Sequence, residues 1–184
     1  MITLLPELDI FVGPGSAIWD AGCGEGKNAI HFARIGANVL ATDVSKIAIE
    51  NARRFWPDAH LVSWEVADVV LAKPRNDQFD MVVLYGLLHC LPDSNSVEKF
   101  VNLAKRSAKP GGHHVVVAFN SRKQELHAHP GFAPTLLSDI RIADLYSDWT
   151  ILHHTDTDLF ETHPHNQIPH THSMTRIIAR KPST

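Results

Sequence analysis

The sequence AIWDAGCGEG at residues 17–26 decides the fold of this chain. A short apolar run leads into Asp20, and three alternating glycines follow at positions Gly22, Gly24 and Gly26. Glycine adopts backbone angles that side chains forbid, so the chain can turn sharply there and bring bare N–H groups close to a ligand. A helical pattern follows directly, and the positive end of that helix points at the same spot. The stretch therefore predicts a strand, a turn and a helix with a ligand at the turn.

A second predicted strand supplies an acid beside that turn. A glycine-rich turn alone is weak evidence of a binding site, because such turns also occur where nothing binds. Here a second apolar run, residues 38–42, ends in Asp43. An acid at the end of the second strand is the position from which the ribose hydroxyls of a cofactor are held.

Residues 20–26, with the sequence DAGCGEG, resemble the first motif of the class I S-adenosylmethionine-dependent methyltransferases. Dinucleotide-binding enzymes differ, because they keep a longer G-x-G-x-x-G spacing. The resemblance covers nearly the whole chain and implies an α/β fold: a Rossmann-like seven-stranded sheet, mostly parallel with an antiparallel last strand, and helices on both faces. Within the family, the short length and the GCGEGKNA run are most similar to the small tellurite-resistance-type branch.

Hydrophobic periodicity predicts the remaining strands and helices, and we expect a single domain that spans residues 1–184. Strands are predicted at residues 60–66, 79–85, 113–119, 149–154 and 174–180. Helices are predicted at residues 27–35, from Ser45 as N-cap to Pro57, at 95–108, and around 136–143. We expect a loop at residues 120–134 and a long polar connection at residues 155–171. Both are expected to leave the sheet at the carboxyl ends of the parallel strands, where ligands bind.

Composition and charge favour a small-molecule enzyme. Hydrophobic residues at 44% and charged residues at 20% are ordinary for a globular protein. A net charge of −3 gives no broad positive surface, so we expect no nucleic-acid partner. No apolar run approaches the roughly 20 residues of a membrane span, and no signal peptide opens the chain. Cys23 and Cys90 form no C-x-x-C motif, and we expect a reducing, cytoplasmic setting.

The resemblance implies S-adenosylmethionine as the cofactor and suggests which residues hold it. Asp43 is expected to bind the ribose, and Asp68, just after the third strand, the adenine amino group. The segment after the fourth strand is expected to flank the methionine end. Cys23 is interpreted as a small packing residue rather than a nucleophile. The predicted cofactor-binding residues are Asp20, Gly22, Gly24, Gly26, Asp43, Val44, Asp68, Val69 and Tyr85.

Histidine is unusually frequent, with 13 residues in all. Those in the last third of the chain are His127, His129, His153, His154, His163, His165, His170 and His172. Three interpretations stay open: a solvated loop, a polar acceptor pocket that contains one base, or a metal site built from the three H-x-H pairs at 127/129, 163/165 and 170/172. Histidine suits proton transfer near neutral pH, so we predict His89, His170 and His172 as catalytic residues and assign no metal ligand.

Two classes of function follow. The first is a methyltransferase that transfers a methyl group to a small-molecule acceptor by in-line displacement, with a histidine-rich acceptor site. The second is a non-catalytic protein on the same fold that binds S-adenosylmethionine or a metal. The presence of Asp20, Gly24, Asp43 and Asp68 together favours the enzyme, because a degenerate relative would have lost at least one of them.

A prediction about assembly comes from the first 16 residues, which are too short for the helical cover that most members of the family carry. Closure must then come from residues 120–134, from the histidine-containing connection, or from another subunit, and we favour a homodimer. Light scattering at micromolar concentration is expected to give the mass of two chains. A monomer with full activity would contradict this prediction.

Overall fold

The computed structural model describes residues 2–73, 75–162 and 167–183, which form a 7-stranded sheet in the order β3-β2-β1-β4-β5-β7-β6. The strands are β1 Ala17–Ala21, β2 Asn38–Asp43, β3 Val62–Val66, β4 Phe79–Tyr85, β5 Ala108–Gln124, β6 Thr150–Glu161 and β7 His170–Arg180. The helices are α1 Lys27–Arg34, α2 Lys46–Phe55, α3 Ser94–Ser107 and α4 Asp139–Asp144. β7 runs antiparallel to β5 and β6, and the other pairs are parallel. The predicted fold class is confirmed.

Helices cover both faces of the sheet because successive side chains of each central strand point to opposite sides. Ile18 packs with Phe32 of α1 and with Met81 on one side. Trp19 packs with Phe100 of α3 on the other. The central strands are therefore buried on both faces, as their continuous apolar sequences predicted. Among the described residues, no helix is both long and apolar enough to cross a bilayer.

Side-chain hydrogen bonds at the N-cap position mark where α2, α3 and α4 begin. The Ser45 hydroxyl accepts a hydrogen bond from the Ala48 N–H at 3.2 Å, as predicted for α2. α3 begins slightly earlier than expected, because its N-cap is Asp93, which accepts from the Ser96 N–H at 2.7 Å. α4 is shorter than expected and begins after the cap Ser138, whose hydroxyl accepts from the Arg141 N–H.

The last third of the chain contains more strand than the sequence predicted. β5 continues to Gln124 into the expected loop, β6 continues to Glu161, and β7 begins at His170. The expected polar connection at residues 155–171 is therefore wrong for most of its length. β6 lies at the edge of the sheet, where ladder hydrogen bonds need no apolar side chains. The polar residues there carried no apolar pattern that would indicate a strand.

β1 buries a carboxylate in the middle of the sheet. Asp20 is 1% exposed, and neither of its oxygens has a hydrogen-bond partner among the described residues. Burial raises the pKa of this carboxyl to about 7, and the nearby negative charge of Asp43 acts in the same direction. Ionisation of Asp20, next to the glycine turn, is therefore energetically unfavourable in the folded protein.

Replacing this acid should change how stability depends on pH. In the unfolded chain Asp20 titrates near its ordinary value of 3.8, whereas in the folded chain it titrates near 7. Between these values the folded state binds more protons, so this group destabilises the protein as pH rises. We expect the free energy of unfolding of Asp20→Asn, minus that of the wild type, to increase from about pH 4 to about pH 8 without cofactor. Urea denaturation across this interval measures the difference, and a flat or falling one would contradict the assignment.

Candidate functional site

The glycine turn presents one open position to a ligand. Gly22, Gly24 and Gly26 have φ values of 70°, 53° and 83°, a region that side chains rarely adopt. A Cβ on Gly22 would lie 2.8 Å from Leu87, and one on Gly26 would lie 2.2 Å from Trp64. At Gly24 nothing lies within 4 Å. The outer glycines therefore permit close packing, and the surface over the middle glycine can receive a ligand.

Asp43 fixes this turn through two hydrogen bonds to backbone. Its Oδ2 accepts from the Gly24 N–H at 2.8 Å, and its Oδ1 accepts from the Ser45 N–H at 2.8 Å. A carboxylate oxygen can accept more than one hydrogen bond, so both oxygens keep capacity for hydroxyl groups of a ligand. The acid at the end of β2 thus lies where the sequence expected it, although it also holds the protein's own backbone.

A cavity of about 360 Å³ opens beside Asp43 at the carboxyl ends of β1, β2 and β4. Predicted cofactor-binding residues that line it are Gly22, Asp43, Val44, Asp68 and Val69, and the opposite wall is formed by residues 86–87 and 90–92. Tyr85, at the end of β4, is 42% exposed and lies outside this lining. The volume is in the range of small-ligand sites. A cavity of about 430 Å³ between α1 and residues 55–61 contains none of the predicted site residues.

The chemistry around this cavity fits S-adenosylmethionine. The cofactor offers two hydroxyl donors, an adenine ring and a cationic methionine end. Asp43 supplies acceptors, and the apolar Val69 lines the wall that a ring would contact. The unpartnered carboxylate of Asp20 lies under the glycine turn, where it favours positive charge. Cys23 is buried, and burial raises the pKa of its thiol, which supports its interpretation as a packing residue.

His89 follows the cavity wall in the short turn Leu88–Cys90 and is buried. Its Nδ1 accepts a hydrogen bond from the Phe119 N–H at 3.1 Å, so the proton of the neutral ring is on Nε2. Burial lowers the pKa of this imidazole to about 4, and the positive charge that His172 can carry lowers it further. His89 is therefore suited to donate a hydrogen bond rather than to accept a proton.

Aromatic rings connect His89 to the late histidines. Phe119 stacks on His89 with ring centroids 4.2 Å apart and also on His172 with centroids 4.2 Å apart. Phe132 meets both His89 and His129 edge-on, with centroids 6.2 Å apart in each case. Phe119 and Phe132 thus connect His89 to His172 and His129.

Three of the late histidines form a compact cluster with an acid. His129 Nε2 lies 3.1 Å from His170 Nε2 and 3.2 Å from His172 Nε2. Glu161 Oε1 lies 3.7 Å from His170 Nε2 and 3.8 Å from His172 Nε2. We call these four residues the histidine cluster. His170 and His172 are fully buried in β7, so the solvated-loop interpretation is wrong for them.

The other late histidines lie elsewhere or cannot be placed. His127 is exposed, and His153 and His154 belong to β6, where His154 Nε2 lies 2.9 Å from Asp139. His163 and His165 lie outside the described residues. Sequence reasoning missed Glu161, because its position opposite His170 depends on strand pairing. The alternation of residues 155–161 was the one available signal.

Comparison with known proteins supports the family. A family model described as a methyltransferase domain matches residues 19–116. The ubiquinone biosynthesis O-methyltransferase of Alkalilimnicola ehrlichii is 33% identical over 108 residues, covering 58% of this chain and 42% of that protein. The magnesium-protoporphyrin O-methyltransferase of Rhodobacter capsulatus is 42% identical over 111 residues, covering 58% of this chain and 46% of that protein. The chain spans less than half the length of these two curated relatives.

Solved structures agree on the fold. The crystal structure of TehB from Haemophilus influenzae superposes with a TM-score of 0.79 at 18% identity, covering 98% of this chain and 62% of that one. At this identity the likeness concerns the fold alone, and the tellurite-resistance-type branch stays a prediction. The family model, the order of the strands and the glycine turn agree with one another. The chain belongs to the methyltransferase domain family.

Proposed function

We propose that the protein transfers a methyl group from S-adenosylmethionine to a small-molecule acceptor by in-line displacement, at a site bounded by His89 and the histidine cluster. The observation that carries this proposal is the cavity in which Asp43, Asp68 and the glycine turn meet. The relatives support the kind of acceptor, since their names refer to ubiquinone biosynthesis and magnesium-protoporphyrin. Each of those names describes an O-methyltransferase.

Binding of the cofactor is assigned to the residues around the cavity. Asp43 accepts hydrogen bonds from the ribose hydroxyls, Asp68 accepts from the adenine amino group, and Val44 and Val69 contact the ring. Gly24 lets the backbone approach, while Asp20 offers negative charge to the methionine end. Tyr85 is assigned to the same end, at the mouth of the site. When bound, the cofactor supplies an activated methyl group on a sulfonium.

The acceptor end is assigned to the wall formed by His89 and Phe119. His89 donates from Nε2 to a polar atom of the acceptor and orients it, while the stacked Phe119 ring keeps water out. His170 and His172 lie on the other side of Phe119, so we assign them to the boundary of the acceptor site and not to direct proton transfer. This differs from the base that the sequence predicted.

Closure of the site is assigned to the segment after β5. Thr135 N–H donates to the His89 carbonyl at 2.9 Å, and the Thr135 hydroxyl donates to the Leu91 carbonyl at 2.6 Å. These bonds hold residues 132–135 over the turn that carries His89. These contacts support the segment after β5 as the source of cover, and the homodimer stays a prediction.

Removing the ribose acceptor tests the donor site. We expect Asp43→Ala to weaken S-adenosylmethionine binding about ten- to a hundred-fold, on the order of 1.5 to 3 kcal/mol, because buried hydroxyls lose a charged acceptor. Asp43→Asn separates the loss of charge from disturbance of the turn, since the amide oxygen can still accept from the Gly24 N–H. Asp58→Ala removes an exposed carboxylate away from the cavity and is the matched control. Unchanged affinity in calorimetric titration of Asp43→Ala would overturn the assignment.

Removing the His89 imidazole tests the assignment of the methyl-acceptor site. We expect His89→Ala to lower turnover about ten- to a hundred-fold while the affinity for S-adenosylmethionine stays within about two-fold, because the lost hydrogen bond concerns the acceptor alone. Release of S-adenosylhomocysteine with a panel of small hydroxyl, thiol and amine acceptors measures turnover. The exposed His60→Ala is the control. Full turnover of His89→Ala with the acceptor that the wild type uses best would rule out this role.

A further inference from the structure

The strand pairing of β5, β6 and β7 brings the four residues of the histidine cluster together. Residues two apart in a strand point to the same face, so His170 and His172 lie side by side on β7. The register sets Glu161 of β6 directly opposite His170. His129 reaches the same place from the end of the turn Leu126–Ala128. Ligand-type atoms from three separate elements all lie within 4.8 Å of one another.

The tautomer of His170 is fixed by its neighbour in the chain. His170 Nδ1 lies 2.8 Å from the Ile168 carbonyl oxygen. A carbonyl can only accept, so Nδ1 carries the hydrogen, and in the neutral ring Nε2 keeps its lone pair. That lone pair is directed into the cluster, toward His129 Nε2.

The tautomer of His172 is fixed in the same way by Gln124. His172 Nδ1 lies 2.7 Å from Gln124 Oε1. The amide cannot be reversed, because Gln124 Nε2 donates to two carbonyls, those of Asn120 at 2.7 Å and Ser173 at 2.9 Å. The Gln124 oxygen therefore accepts, His172 Nδ1 donates, and His172 Nε2 also keeps its lone pair toward the cluster. Two buried imidazoles are thus held in the same orientation by separate partners.

This pattern is typical of histidines that bind metals. A metal-bound imidazole almost always donates its other ring N–H to a carbonyl, a carboxylate or water, which fixes the ring and increases its basicity. His170 and His172 both do so. In a hydrogen bond between two rings, only the accepting ring needs its lone pair directed at the other. A metal ion needs the lone pair of every ligand ring to point toward it.

The distances agree with coordination of one ion. Zinc–nitrogen bonds of about 2.0–2.1 Å at a tetrahedral angle set two ligand nitrogens roughly 3.3 Å apart. The observed separations from His129 Nε2 are 3.1 and 3.2 Å, and the Glu161 oxygen lies somewhat farther out. Three imidazoles and one carboxylate suit Zn²⁺ and its first-row neighbours, whereas Ca²⁺ and Mg²⁺ prefer oxygen ligands.

We propose that His129, His170, His172 and Glu161 bind one divalent transition-metal ion, with zinc as the probe. His170 and His172 from β7 form the buried part of the site, and the half-buried His129 and Glu161 form its outer side. The ligand set carries one negative charge, which leaves a bound divalent ion with a net charge of +1. Metal binding needs neither cofactor nor acceptor, so this proposal stands apart from the proposed methyl transfer.

Zinc titration of the full chain tests the proposal. The protein is stripped with a chelator and titrated with Zn²⁺ against a chromophoric competitor, without S-adenosylmethionine. We expect one ion per chain. Glu161→Gln, which keeps size and shape at a partly exposed position, should weaken zinc binding by at least about ten-fold, and His129→Ala by about a hundred-fold or more. His127→Ala removes the exposed histidine two residues before His129 and should leave the affinity within about two-fold.

Two further measurements keep the result independent of folding defects. Co²⁺ in place of Zn²⁺ should give visible absorption bands of a four-coordinate ion, and Glu161→Gln should change their intensity. Zinc at about a thousand times its dissociation constant should raise the midpoint of thermal unfolding by on the order of 10 °C in the wild type and in His127→Ala, and by less in Glu161→Gln.

Several outcomes would overturn the proposal. Less than one ion per chain, equal losses in His127→Ala and His129→Ala, or unchanged zinc affinity in both Glu161→Gln and His129→Ala would each show that the cluster is a hydrogen-bonded group of histidines. Asp43→Ala is expected to keep full zinc affinity, so failure of the donor site and failure of the metal site are distinguishable.

Discussion

The carboxylate of Asp43 joins the glycine turn to the second strand and the second helix. By accepting from the N–H groups of Gly24 and Ser45, it holds together the segment that follows β1 and the segment that follows the neighbouring strand β2. Charge-assisted bonds of this kind are about twice as strong as neutral ones. Without this acid the turn would have no partner on β2 other than the Thr42 carbonyl. The open face over Gly24 depends on that arrangement.

The central part of the fold could be predicted from the sequence because its strands are buried on both sides. Residues 79–85 are apolar except for Asp80, and β4 has those bounds in the structure. Ser45 was recognisable as a cap because its hydroxyl acts locally. β6 was underestimated by seven residues at its end, Thr155 to Glu161, because an edge strand gains its stability from backbone pairing, which leaves no apolar pattern.

Some residues of the candidate site could be predicted from the sequence, and others could not. Asp43 and Asp68 could be identified because each follows a recognisable strand, and the family resemblance gave them roles. Glu161 and Gln124 could not, because their partners, His170 and His172, are adjacent to them only through strand register. The H-x-H spacing was also ambiguous. In β7 it brings two rings together, whereas His127 lies within the short turn Leu126–Ala128 and His129 follows it, so only His129 of this pair places a ring nitrogen in the cluster.

The tip of the hairpin of β6 and β7 pairs residues that lie close together in the chain. Glu161 pairs with His170, whereas Ile18 of β1 must reach Met81 of β4. The entropy lost on closing a loop increases with its length, so the hairpin closes at a smaller cost than the parallel centre. Contacts between distant residues also slow folding. Glu161 and His170 thus meet through pairing of residues that are close in the chain, whereas the cavity beside Asp43 needs β1 and β4, whose paired residues lie much farther apart.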